Sequence, residues 1–132
     1  TKKNVIRGMH YQKKRKQSQL VTVIKGEINY VVVDVMWNSK NFKKHKIFNL
    51  SDKEKNQIYV PGGFANGFEV ISKEVILHYN VDKLYDKTDD YGINFIDSSL
   101  NIKWSIKKPI LNYKDKMNPM LNDIKKINLP KL

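Results

Sequence analysis

Leu20-Val21-Thr22-Val23-Ile24, the turn Lys25-Gly26, then Ile28-Asn29-Tyr30-Val31-Val32-Val33-Asp34-Val35 is the stretch that decides the fold. Both runs are rich in β-branched residues, which pack well on a pleated surface and lose rotamer freedom in a helix. A glycine between two such runs reads as a turn between strands. In the second run Tyr30, Val32 and Asp34 alternate against Asn29, Val31 and Val33, the period of two expected of a strand. Working outward, the same signal recurs at Lys46–Leu50, Gln57–Val60, Gly67–Ile71 and Glu74–Val81. Turns punctuate the runs at Asn38-Ser39-Lys40, Ser51-Asp52-Lys53 and Pro61-Gly62-Gly63. Short strands at this spacing predict an all-β antiparallel sandwich or barrel in one domain over residues 1–132. Near the end the period changes. Asn118 followed by Pro119, with Met120, Leu121 and Ile124 at helical spacing, predicts a short C-terminal helix.

Composition narrows the class. At 132 residues the chain builds a core without staples, and it contains no cysteine. Disulfides, thiolate metal sites and cysteine nucleophiles are thereby removed, consistent with a reducing, cytoplasmic setting. No apolar run approaches the roughly 20 residues of a membrane span. The net charge of +12 invites a nucleic-acid reading, but arginine occurs only at Arg7 and Arg15 and the rest of the basic residues are lysines spread from Lys2 to Lys131. Nucleic-acid sites favour arginine for bidentate and stacking contacts, so the lysines read as a solvated surface. The cluster Lys13-Lys14-Arg15-Lys16 reads as an exposed hairpin loop.

The chemistry sits in Arg7-Gly8-Met9-His10-Tyr11-Gln12. In a regular strand Arg7 and His10 point to opposite faces; Gly8 between them is placed to make a bulge that brings both to one pocket. A base beside an anion-binding cation suits an enzyme acting on a phosphorylated small molecule. His45 lies among lysines and reads as surface, and His78 faces away from its neighbour Tyr79. The three histidines stand far apart, with no His-x-His pair, so no metal site is expected.

Several segments, in this order, resemble the dTDP-4-dehydrorhamnose 3,5-epimerase family, the cupin-like epimerases of deoxysugar biosynthesis. They are Val5–Gln12, Leu20–Ile28, Val31–Asp34, Ile58–Phe68, Tyr79, Gly92-Ile93, Leu100–Trp104 and Lys114-Asp115. The resemblance implies an antiparallel jelly-roll, a homodimer, no cofactor and a pocket for a nucleoside-diphosphate 4-keto-6-deoxyhexose. It implies His10 as general base, Asp115 as its orienting carboxylate, Tyr79 as general acid on the opposite sugar face, Arg7 at the diphosphate and Tyr85 as a pocket tyrosine. Asp115 also reads as a residue that simply begins a helix, and Trp104 as either core or a border for the nucleotide base.

Three departures from the family pattern stand out. Gln19 occupies the position of a lysine that helps hold negative charge at the keto oxygen, and Asn66 replaces histidine in Phe-Ala-x-Gly-Phe. Both amides still donate hydrogen bonds, without a full charge. Loss of one good oxyanion donor slows such chemistry by roughly two to three orders of magnitude. The family's segment in front of the Arg-Gly-x-His stretch, which adds strands and reaches the partner subunit's pocket, is not in this sequence. Inversion at C3, C5 or both is therefore the first expectation. A single-centre epimerase or ketoisomerase, or a non-catalytic sugar-nucleotide-binding jelly-roll, are the alternatives.

Overall fold

The structure, a computed structural model, describes all residues from Thr1 to Leu132. Its strands are β1 (Ile6–Gln12), β2 (Gln19–Lys25), β3 (Glu27–Asp34), β4 (His45–Ser51), β5 (Gln57–Val60), β6 (Phe64–Val70), β7 (Ile76–Val81) and β8 (Asp90–Gly92). They form a five-stranded sheet, β4-β3-β6-β1-β8, and a three-stranded sheet, β5-β2-β7, and every pairing is antiparallel. The chain crosses repeatedly between the sheets, as β1, β2, β3, then β4, β5, β6, β7 and β8, which is the connectivity of a jelly-roll.

The alternation read in β3 sorts its side chains onto two cores. Ile28 and Tyr30 join Val21, Val23 and Val60 of the small sheet, together with Leu50 and Val70, in the space between the sheets. Val31 and Val33 face the other way, with Met9, Tyr11 and Ala65, under Ile93, Leu100, Ile102, Leu121 and Leu129 of the long C-terminal segment. The larger sheet is thus buried on both faces, which is why β3 carries apolar residues on both of its faces. Each fully buried aliphatic side chain contributes about 1.5–3 kcal/mol.

Three expectations change. Lys13–Lys16 is not a hairpin loop, because β1 and β2 belong to different sheets. The strand β8 was hidden by its shortness and by the acidic and glycine residues it contains. Helix does occur near the C-terminus, but as α1 (Tyr113–Lys116) followed by 3₁₀ turns at Leu121–Asp123 and Lys126–Asn128 rather than as a helix opening at Pro119. The groups that would open that helix are taken by the neighbouring loop. The Pro119 carbonyl accepts from Asn94 N–H, and Leu121 N–H donates to the Asp97 carboxylate at 2.5 Å. Met120 is consequently extended, at φ −69 and ψ 149.

Candidate active site

The site begins with a bulge. Along β1 and β6, Arg7 pairs with Phe68 and His10 with Asn66, so β1 advances three residues while β6 advances two. That extra residue changes the parity and turns Arg7 and His10 to the same face. Gly8 makes it possible. Its φ is +101, and a Cβ there would lie 2.6 Å from the Asn66 carbonyl oxygen and 2.7 Å from the Gly67 Cα. Gly67 is equally constrained, since its own Cβ would meet the Arg7 carbonyl oxygen at 2.6 Å. The two glycines let β1 and β6 approach closely just below the face that carries Arg7 and His10.

Two rows of side chains cross the inner face of the larger sheet in register: Arg7–Phe68–Tyr30 and His10–Asn66–Val32. The smaller sheet answers with Gln19, Val21, Leu77 and Tyr79. Between the sheets lies a cavity of about 720 Å³, within the range of roughly 300–1,000 Å³ that small-ligand sites occupy. Arg7, His10, Gln19, Asn66, Tyr79 and Tyr85 all line it. Asp115 does not; it stands behind His10, fully buried.

Asp115 holds the imidazole from α1. The Asn112 side chain caps that helix by accepting from Asp115 N–H at 2.6 Å, which fixes the first turn and delivers the carboxylate. Its Oδ1 accepts from His10 Nε2–H at 2.5 Å, and its Oδ2 accepts from Gly8 N–H at 3.1 Å. Asp115 therefore begins a helix and orients the histidine at once. Burial alone would raise its pKa, but the hydrogen bond and charge of His10, the Gly8 N–H and nearby Arg7 outweigh that and hold it below the ordinary carboxylate range. With the proton kept on Nε2, the lone pair lies on Nδ1, which has no protein partner. The imidazole is thus oriented by the fold itself, with one ring nitrogen left free toward the cavity.

The opposite wall is looser. Tyr79 lies on the edge strand β7, is 57% exposed, and its hydroxyl has no partner in the protein. His78 next to it is exposed and points to the other face, as expected from the alternation. Arg7 donates to the Ile6 carbonyl at 3.2 Å, which pins the guanidinium along the strand. At the rim Tyr85 donates to Asp90 at 2.7 Å, and this bond raises the phenol's pKa. Lys114 forms an ion pair with the same Asp90. No group of three or more His, Cys, Asp or Glu side chains converges to hold a metal ion, and no helix is long and apolar enough to cross a membrane.

Some residues of the site escaped the sequence reading. Tyr30 lines the cavity, and its parity with Val32 on β3 carried that information once the inner face was known. Asp90 sits on the unanticipated β8, and Lys114 had been noted only as the neighbour of Asp115. Phe64 and Phe68, packed against the core between the sheets, line the cavity as well. Trp104 does not border it; its indole donates to the Phe95 carbonyl at 2.7 Å and packs on the outer core.

Two facing antiparallel sheets around a cavity with a carboxylate-held imidazole define a cupin-like jelly-roll protein. Comparison with known proteins makes the assignment narrower. The dTDP-4-dehydrorhamnose 3,5-epimerase family matches residues 1–123, and the chain belongs to that family. It is 40% identical over 114 residues to dTDP-4-dehydrorhamnose 3,5-epimerase of Shigella flexneri, covering 86% of this chain and 63% of that protein. It is 37% identical over 105 residues to the protein of the same name from Methanothermobacter thermautotrophicus, covering 80% and 57%. The chain thus spans about three fifths of the length of these relatives. Among solved structures, it superimposes on a dTDP-6-deoxy-D-glucose-3,5-epimerase from Legionella pneumophila in complex with dTDP-4-keto-L-rhamnose. The TM-score is 0.97 at 34% identity, over 100% of this chain and 71% of the other.

Proposed function

We propose that this chain is a cofactor-independent epimerase of a dTDP-linked 4-keto-6-deoxyhexose. One observation carries the reading: an imidazole preset by a buried carboxylate on one sheet faces an unpartnered phenol on the other, across a cavity of ligand size. His10 Nδ1 takes the proton from the carbon beside the ketone; the C–H pair becomes the C=C bond of an enolate as the C=O π pair moves onto the oxygen. The enolate then collapses, and Tyr79 delivers a proton to the same carbon from the opposite face, inverting it. Asp115 holds the imidazolium that forms. Gln19 and Asn66 are the amide donors available to the enolate oxygen. Arg7 takes the diphosphate, and Tyr85 closes the rim. The half-exposed apolar edge strand β7, with Ile76 and Val81 beside Tyr79, supports a homodimer whose partner covers this side. A cytoplasmic setting is supported by the absence of cysteine.

Gln19 and Asn66, uncharged where the family commonly carries lysine and histidine, favour a second reading in which only one centre is inverted. Incubation with dTDP-4-keto-6-deoxyglucose in deuterium oxide tests both. Label at C3 and C5 is the expected result; label at one carbon gives the single-centre enzyme. Tight binding without any label contradicts catalysis and leaves a sugar-nucleotide-binding jelly-roll.

A further inference from the structure

Tyr30 is a buried polar group beside the cavity to which the epimerase reading gives no task. Tyr30 lies on the inner face of β3, in the row of Arg7 and Phe68, and is 3% exposed. Its hydroxyl makes a single hydrogen bond, to Gln19 Oε1 on the facing sheet, at 3.3 Å. A buried phenol needs an acceptor for its proton. If the Gln19 amide turned over, its NH2 would meet the phenol oxygen, and Tyr30 would lose its only acceptor in the protein. The amide is therefore held one way round: Oε1 toward Tyr30, Nε2 toward the cavity that Gln19 lines. Gln19 Nε2 has no partner in the protein. Burial first, and then the nearby Tyr79, push the Tyr30 pKa up, so the phenol remains a donor across the whole working range of pH.

We propose that Tyr30 is a positioning residue that locks the Gln19 amide so that its N–H is presented to the ketone oxygen of the sugar, an uncharged oxyanion donor in place of a cation. This rests on the epimerase reading. The paired groups lie on different sheets, so the bond also ties the donor on β2 to the sheet that carries His10. A free glutamine has to choose one of two amide orientations when charge develops, whereas the locked one needs no reorganisation at that moment. Neither Gln19 nor Tyr30 changes charge near neutral pH, so the donor's strength does not vary with pH.

The test is a double-mutant cycle of Tyr30→Phe and Gln19→Ala, read by the rate and KM of isotope exchange and by the side-chain amide resonances of 15N-labelled Gln19 in the protein without ligand. Tyr30→Phe should lower kcat about tenfold with KM little changed, and Gln19→Ala by about a hundredfold. In the Gln19→Ala background Tyr30→Phe should cost nothing further. The Gln19 amide signals, dispersed in the wild type, should move toward those of a free amide in Tyr30→Phe. Gln19→Glu keeps the acceptor for Tyr30 and so protects the fold, yet it should lose exchange as Gln19→Ala does. Losses that multiply, an amide signal unmoved by Tyr30→Phe, or full exchange in Gln19→Glu would each overturn the role of Tyr30. A wild type that exchanges nothing overturns the epimerase reading itself, and the donor's catalytic role with it, even if the amide proves locked.

Discussion

The two sheets that enclose the cavity are built to different standards. On the larger one, His10 is clamped by a fully buried carboxylate, its strand is shaped by two glycines in contact, and its back face is sealed by a second core. On the smaller one, Tyr79 sits on an edge strand, half exposed, with a hydroxyl that has no hydrogen-bond partner in the protein. The His10 imidazole is thus preset by the fold, whereas the Tyr79 hydroxyl is left to what occupies the cavity or covers the edge; in the proposed reaction these are the base and the acid. A general base must hold one tautomer to abstract a proton, whereas a phenol needs only to be protonated and within reach. Removing the His10 imidazole should therefore cost more than removing the Tyr79 hydroxyl.

The largest effect is expected at His10. His10→Ala should cut isotope exchange by roughly three orders of magnitude, within the span of general-base contributions, while nucleotide-sugar binding measured by calorimetry stays nearly unchanged. Gly8→Ala should come next and act through structure. The positive φ and a Cβ lying 2.6 Å from the Asn66 carbonyl oxygen should cost about 3 kcal/mol of stability, seen as a lowered midpoint in urea and a displaced His10. If Gly8→Ala were as stable and as active as the wild type, the bulge would not be what aims the base.

Asp115→Asn should be milder, slowing exchange by about ten- to a hundredfold as a charge-assisted hydrogen bond is lost. It also has a signature in pH. Because the Asp115 pKa is lowered in the folded protein, its contribution to stability is complete above the carboxylate value of the unfolded chain, about 3.9. It then falls away as pH drops through that value and on through the lower folded one. Urea titrations of the wild type below about pH 4 should show that loss, and Asp115→Asn should flatten it. The smallest effect is expected from replacing Lys13, Lys14 and Lys16 together by alanine. Ligand affinity should change little, while Arg7→Ala weakens it clearly. Tight, salt-dependent binding of generic nucleic acid that disappears with the triple change would reverse the reading of the basic loop.

The same contrast describes what could be read from the chain alone. The larger sheet was legible because β3 is rich in β-branched residues and because Gly8, between Arg7 and His10 of opposite parity, is placed to make a bulge. The family resemblance led to His10, Asp115 and Tyr79, but not to what holds them. Asn112 caps the helix that carries Asp115, and nothing in the local sequence around Tyr113 has helical period over its four residues. Tyr30 looked like one more strand residue, because its partner Gln19 is brought to it only by the packing of the sheets. The short helix expected at Pro119 failed for a tertiary reason: the Asp97 carboxylate and Asn94 claim the backbone groups that the helix needed. Local propensity chose a helix there, and a buried loop contact overrode it.

In the proposed reaction, proton removal and proton return belong to different sheets. Tyr79→Phe separates the two, because it keeps the ring and removes only the donor. With dTDP-4-keto-6-deoxyglucose in deuterium oxide, this variant should still place deuterium in recovered, uninverted substrate, since His10 can return a solvent-exchanged proton to the face it came from. The inverted product should fall by about ten- to a hundredfold relative to that exchange. If exchange and inversion instead decline together in the same proportion, or if inversion continues at the wild-type rate, Tyr79 is not the donor on the opposite face and the division of labour between the two sheets is wrong.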